Sequence, residues 1–246
     1  MKRKPSIVAH KGASAYRPGN TQAAFELAVE QGADCIELDV QLTADGHILV
    51  YDRWCLDDGT NRLSVAKSTL EQIRQFCTAQ QMTSTGEAAP GILTLPQALA
   101  LLEPKSVEVM VELKNSYLLQ PPELGHRVAE ELKRADMLDR SYVFSFDHAM
   151  IAGMRGTPGV RTGILYVANL LNLEDYLQDT GCHFIETRND FVDEALVQQV
   201  HARGVKICGW STVDPVEIAR LCTLGVDMVK TDAPDVAVPI ADTVRQ

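Results

Sequence analysis

The sequence predicts an α/β chain folded as a single (β/α)8 barrel, with a small insertion after the second strand. Three observations carry that prediction. Eight apolar, strand-like runs alternate with helix-like segments along 246 residues, a length that suits one such barrel. The runs are short and nearly continuous in apolar residues, as parallel strands covered on both faces are. Polar residues collect at the ends of the runs, where barrels of this kind place their chemistry. An open doubly wound sheet is the competing architecture. Neither GxGxxG nor GxxxxGK[ST] follows the first run, so no dinucleotide or P-loop site speaks for it.

Taken in order, Ile7 to His10 reads as the first strand, ending in a histidine. Lys11 to Gly19 is rich in turn residues and reads as a loop. Asn20 or Thr21 caps a helix to about Gln31, with Gly32 as its stop. Cys35 to Val40 is a strand, and Ala44-Asp45-Gly46 turns the chain into a return strand over His47 to Tyr51. The return strand reads as antiparallel, so residues from Asp45 to about Gly91 form an excursion over the barrel mouth. Within it Ser68 to Phe76 is helical and Gln80 to Gly91 is a polar surface loop. Thr94 caps a helix to Leu102, and Val107 to Leu113 is a strand. From there helices and strands alternate. The helices are Glu123 to Ala135, His148 to Arg155, Leu173 to Gln178, Asp193 to Ala202, Asp214 to Leu224 and Pro234 to Val244. The strands are Tyr142 to Phe146, Thr162 to Val167, Cys182 to Thr187, Val205 to Trp210 and Val226 to Thr231. Residues 1–246 therefore read as one domain.

Composition narrows the function. The apolar fraction of 46% supports a real core, and no apolar run reaches 18 residues, so no membrane span is expected. Only Ser6 to Ala9 follows the basic N-terminus before His10, too short for a signal-peptide core, so a cytoplasmic location is expected. The six cysteines are scattered without a CxxC and read as free thiols. The net charge of −10 argues against nucleic acid or an anionic membrane as a general partner. A small phosphorylated molecule at a local positive site remains open.

The strand ends supply that site. Glu37 and Asp39 are two residues apart on a strand, so both side chains point to one face. Two unpaired carboxylates among apolar neighbours repel each other, and a hard divalent cation is the usual remedy. Glu112 and Lys114 end the next barrel strand, and His10 ends the first. Three carboxylates sharing one mouth call for a cation, and a lysine beside them suits a phosphate oxygen.

Taken together, His10-Lys11-Gly12-Ala13, Pro18-Gly19-Asn20-Thr21, Glu37-Leu38-Asp39-Val40, Asp45-Gly46, Glu112-Leu113-Lys114, Trp210-Ser211-Thr212-Val213 and Thr231-Asp232-Ala233-Pro234 resemble the glycerophosphodiester phosphodiesterase family. The resemblance covers essentially the whole chain in the family's order. It implies a TIM-like barrel, a divalent cation such as Ca²⁺ or Mg²⁺, and hydrolysis of glycerophosphodiesters to sn-glycerol 3-phosphate and an alcohol. By the resemblance Glu37, Asp39 and Glu112 are the metal ligands, Lys114 contacts phosphate and His10 is the first catalytic histidine. Lys11, Lys114 and Trp210 are the positions expected to meet substrate.

Three departures cluster near the acid–base apparatus. Lys11 stands where the family usually has arginine, keeping the charge but losing the bidentate fork. Gly19 stands where it usually has glutamate. Tyr51, followed by Asp52, stands where it usually has a second catalytic histidine. A tyrosine with an ordinary pKa of about 10 is poorly matched to proton transfer near neutrality. His47 lies about 13 Å along the same strand and does not replace it. The sequence thus favours a phosphodiesterase of reduced or altered activity, with His10, Lys114 and Tyr51 as its catalytic positions. The alternative is a barrel that binds a phosphodiester or metal without turnover. A Schiff-base aldolase using Lys114 is disfavoured, because neighbouring carboxylates raise a lysine's pKa.

Overall fold

The computed structural model describes residues 3–83, 91–114 and 123–243. The chain opens with β1 (Ser6–Ala9), α1 (Gln22–Glu30) and β2 (Cys35–Leu42). An excursion follows through β3 (Ile48–Val50), β4 (Cys55–Asp57), β5 (Arg62–Ser64), α2 (Leu70–Thr83) and β6 (Leu93–Thr94), after which α3 (Leu95–Leu102) is the second barrel helix. The regular alternation resumes with β7 (Glu108–Leu113), α4 (Leu124–Arg134), β8 (Ser141–Ser145), α5 (His148–Gly153), β9 (Arg161–Tyr166) and α6 (Leu173–Thr180). It ends with β10 (Phe184–Arg188), α7 (Glu194–His201), β11 (Lys206–Trp210), α8 (Pro215–Leu224), β12 (Met228–Thr231) and α9 (Pro234–Thr243).

Eight parallel strands close into a barrel in the order β1, β2, β7, β8, β9, β10, β11 and β12, with β12 pairing back to β1. β3 pairs antiparallel with β2, and β6 with β3. This is the (β/α)8 barrel that the alternation of segments predicts. Every residue of β2 is buried, as expected for a strand covered inside and out.

Side-chain alternation divides each strand between two cores. Outward residues such as Ile36, Leu38, Val109, Val111, Val143, Ile185 and Ile207 pack under the helices. Inward residues Val8, Cys35, Met110, Tyr142, Phe144, Phe184, Cys208 and Met228 fill the lower barrel. The Phe184 ring meets Tyr142 edge-on at 5.3 Å between centroids. Gly163 on β9 makes room for it, since a Cβ there would lie 2.0 Å from Phe184 Cε1. Gly163→Ala is therefore expected to destabilise the fold by about 1–3 kcal/mol, the usual cost of overpacking. Urea unfolding checks this; unchanged stability would mean that the ring moves aside freely.

The excursion differs from expectation in two places. α2 continues to Thr83 rather than stopping at Phe76, because no Gly or Pro interrupts the chain before Gly86. Part of the expected loop from Gln80 is thus helical, and its residues 84–90 lie outside the described residues, as does Val244 of the last helix. β4 and β5 form a hairpin that has no counterpart among the expected elements. Asp58 Oδ1 accepts from the N–H groups of Thr60 and Asn61 at 2.8 and 2.6 Å, and Arg62 Nε donates to Asp57 at 2.7 Å. Leu49, Leu56, Val65, Leu70 and Ile73 make a small separate core under α2. The cysteines are free, and among the described residues no helix is long and apolar enough to cross a membrane.

Candidate active site

Strand register assembles the site. β1 pairs Ala9 with Ile36 on one side and with Thr231 on the other, so His10 emerges between Glu37 and Asp232. β2 pairs Asp39 directly with Glu112 of β7. Glu37, Asp39 and Glu112 are all buried, and each offers an oxygen within 4.8 Å of the others.

Local contacts hold each carboxylate. Glu37 Oε2 accepts from the Lys11 N–H at 2.8 Å. Lys11 adopts a left-handed backbone (φ 57°), as does Asn20 (φ 61°). Between them Gly12 (φ +81°) lies so close to α1 that a Cβ would meet the Ala24 carbonyl oxygen at 2.6 Å. Thr21 takes the cap of α1, its Oγ1 accepting from the Ala24 N–H at 3.3 Å. That leaves the Asn20 amide to donate to Asp39 Oδ2 at 2.8 Å. Lys114 Nζ bridges the remaining pair, 2.8 Å from Asp39 Oδ1 and 2.6 Å from Glu112 Oε1.

The electrostatics follow from this packing. Burial and the adjacent Asp39 carboxylate push the Glu112 carboxyl up to about 8, against the pull of Lys114. Burial opposes the charge on Lys114, but Asp39 and Glu112 outweigh it and raise its pKa. It therefore stays an ammonium, which cannot attack a carbonyl as a Schiff-base lysine must. Burial also opposes the charge on Glu37. Lys230, His10, Lys114 and the Lys11 N–H overcome that penalty and hold Glu37 below the ordinary range.

His10 Nδ1 contacts Asp232 Oδ1 at 2.6 Å, and Ser14 Oγ donates to the same oxygen at 2.7 Å. This fixes the imidazole by one nitrogen and leaves Nε2 for proton transfer. Burial would lower the histidine pKa, but Glu37 and Asp232 outweigh it and raise it above the ordinary value.

Two cavities flank the carboxylates. One, of about 630 Å³, is lined by His10, Lys11, Tyr51, Asp52 and Asp232. The other, of about 850 Å³, is lined by Asp52, Arg53, Trp54, Glu112, Lys114 and Phe146. Asp52 and Arg53 border both. Lys11 Nζ is anchored to Asp52 Oδ2 at 2.7 Å, and a Cβ at Gly19 would lie 2.9 Å from Lys11 Cβ, so glycine there leaves room for the lysine. Tyr51 packs against the small core under α2, its hydroxyl 3.5 Å from the Cys55 carbonyl oxygen. Burial and then Asp52 raise its pKa further above 10. Trp210, at the end of β11, lines neither cavity. It meets Phe146 edge-on at 6.4 Å, and its Nε1 is buried with no hydrogen-bond partner among the described residues. His47 lies 3.8 Å from Asp45, away from these groups.

Sequence reading passed over the supporting residues. Asn20 looks like a helix cap, and Asp232 like a strand-end carboxylate. Lys230 is hidden inside an apolar strand, although its inward parity with Met228 was available as a signal.

Fold and mouth together define a barrel of enzyme architecture, with an acidic cluster, a lysine and an oriented histidine on its C-terminal face. The chain belongs to the glycerophosphoryl diester phosphodiesterase family, whose model matches residues 10–236. It is similar to a glycerophosphodiester phosphodiesterase of Bacillus altitudinis, 31% identical over 97% of this chain and 99% of that protein. A second such enzyme, from Caldanaerobacter subterraneus, is 30% identical over 94% and 96%. Among solved structures, a glycerophosphodiester phosphodiesterase of Parabacteroides distasonis superposes with a TM-score of 0.81 at 22% identity, covering both chains fully. An Oleispira antarctica phosphodiesterase, in complex with its product sn-glycerol-3-phosphate, gives 0.77 at 22% identity over 97% of each chain.

Proposed function

We propose that this protein hydrolyses glycerophosphodiesters to sn-glycerol 3-phosphate and an alcohol, with one divalent cation held by Glu37, Asp39 and Glu112. The observation that carries the reading is the convergence of three buried carboxylates beside Lys114 and the His10–Asp232 pair. The donor set fits a hard cation: all the ligands are oxygens. Glu37 Oε1 is buried without a hydrogen bond among the described residues. A bound Ca²⁺ or Mg²⁺ would supply charge neutralisation at the phosphoryl oxygens.

The chain's own residues perform the rest. The Lys114 ammonium stabilises negative charge gathering on the phosphoryl group. His10 moves a proton at Nε2 while Asp232 holds its ring through Nδ1. Lys11 faces the cavity beside His10, where it meets an anionic oxygen as a point charge. Tyr51 occupies the second acid–base position and transfers a proton poorly, so turnover is slow. Trp210 and Phe146 border the mouth, where an alcohol moiety leaves. A cytoplasmic location and a single domain from residue 1 to 246 belong to the same reading.

The test is release of glycerol 3-phosphate from glycerophosphocholine, with and without added Ca²⁺, Mg²⁺ or Mn²⁺. No release with any cation would reject hydrolysis of this substrate. A second reading, a barrel that binds the diester without turnover, is favoured by one observation. The Tyr51 hydroxyl is directed at the Cys55 carbonyl oxygen, and its proton is held more tightly than usual.

Glu37→Gln is expected to weaken cation binding by about tenfold or more, since a neutral amide loses the charge attraction to a hard ion. Calorimetric titration of wild type and variant measures it, and equal affinities would remove Glu37 from the ligand set.

A further inference from the structure

Lys230 is the one basic side chain sealed inside the barrel among the described residues. It is 1% exposed and lies above the aromatic plug, its Nζ 4.6 Å from the Phe144 ring centroid. Two buried carboxylates face it. Glu186 Oε1, from β10, is 2.5 Å from Nζ, and Glu37 Oε1 is 3.5 Å away. An ion pair in such a place contributes little net stability over apolar residues of the same size. Closing the barrel does not explain it. Its position does: the ammonium sits between Glu186, which is outside the acidic cluster, and Glu37, which belongs to it.

We propose that Glu186 and Lys230 are positioning residues for Glu37, with Glu186 drawing the Lys230 ammonium away so that Glu37 Oε1 stays available to a divalent cation. The inference rests on the cation reading given above. The 1 Å difference between the two contacts is its geometric basis. With Glu186 charged, Lys230 is neutralised by it and its repulsion of a cation at Glu37 is largely cancelled. Without that charge the ammonium has Glu37 as its only buried carboxylate partner among these contacts. It then competes with the cation for the same oxygen and repels it. Burial opposes the charge on Lys230, but Glu186 and Glu37 outweigh it, so the group remains an ammonium throughout.

The experiment is calorimetric titration of Ca²⁺ and Mg²⁺ into wild type, Glu186→Gln, Glu186→Asp and the double variant Lys230→Met/Glu186→Gln, with thermal unfolding of each. Glu186→Gln is expected to bind the cation about tenfold or more weakly, because one uncompensated charge acts across a poorly screened interior. Glu186→Asp keeps the charge and binds much as wild type does. The double variant removes the competing ammonium together with its partner and regains wild-type affinity or better. A merely structural pair predicts the reverse order, with the double variant at least as impaired as the single. Unchanged affinity in Glu186→Gln, or a double variant that stays as weak as the single, overturns the inference while leaving the cation site standing. Wild type that takes up neither ion overturns the cation site and the inference together.

Discussion

His10→Ala is expected to lower kcat on glycerophosphocholine by about 10²- to 10⁴-fold at saturating cation, the usual contribution of a positioned proton-transfer group. Cation affinity changes far less, because His10 supplies no oxygen to the carboxylate cluster. The two readouts together separate a lost proton carrier from a collapsed site. Asp232→Asn tests how the histidine is prepared. Asp232 helps to raise the His10 pKa, so removing its charge lowers that pKa. The limb of the pH–rate profile that belongs to His10 then moves to lower pH. The direction is the same whether His10 acts as base or acid, because both limbs report one ionisation. A profile that stays in place would mean that Asp232 does not govern His10, and His10→Ala with wild-type kcat would remove the histidine from the reaction.

The fold was legible because its signals are local and repeated. Runs such as Tyr142 to Phe146 and Val205 to Trp210 announce buried parallel strands. Asp193, Asp214-Pro215 and Gly225 mark helix ends, and Asp193 and Asp214 do accept N–H groups of their own first turns. The clustering of Glu37, Asp39 and Glu112 was legible for the same reason, since strand ends of one barrel share a face. Less legible were contacts set by loops and by barrel closure. Nothing local in Asn20 distinguishes an Asp39 ligand from a helix cap; the left-handed turn beside Gly12 decides it. Lys230 meets Glu186 and Glu37 only because β12 closes the barrel against β1, with β10 two strands away from β12. The β4–β5 hairpin escaped notice because its strands are three residues each, too short for alternation to show.

Tyr51→His is expected to raise kcat on a glycerophosphodiester by up to about 10²-fold, the low end of what a general acid or base contributes. The backbone there is already placed. The Tyr51 N–H donates to the Asp39 carbonyl oxygen at 3.0 Å, and its own carbonyl accepts from Gln41 Nε2 at 2.9 Å. A histidine therefore starts from a fixed Cα beside Asp52, in the cavity that already holds His10. Two features pull the gain below its ceiling. The tyrosine ring packs on the core under α2, so the smaller imidazole gives up apolar contact and is held less firmly. Asp52 is engaged by Lys11, so it is not free to orient a new imidazole as Asp232 orients His10. Steady-state kinetics on wild type, Tyr51→His and His10→Ala at saturating cation decides among the readings. A wild type of ordinary enzymatic rate that Tyr51→His slows makes Tyr51 a working catalytic group, and the weakened-enzyme reading fails. If none of the three turns over while a phosphodiester still binds in a cation-dependent way, the barrel is a binding protein built on a hydrolase frame.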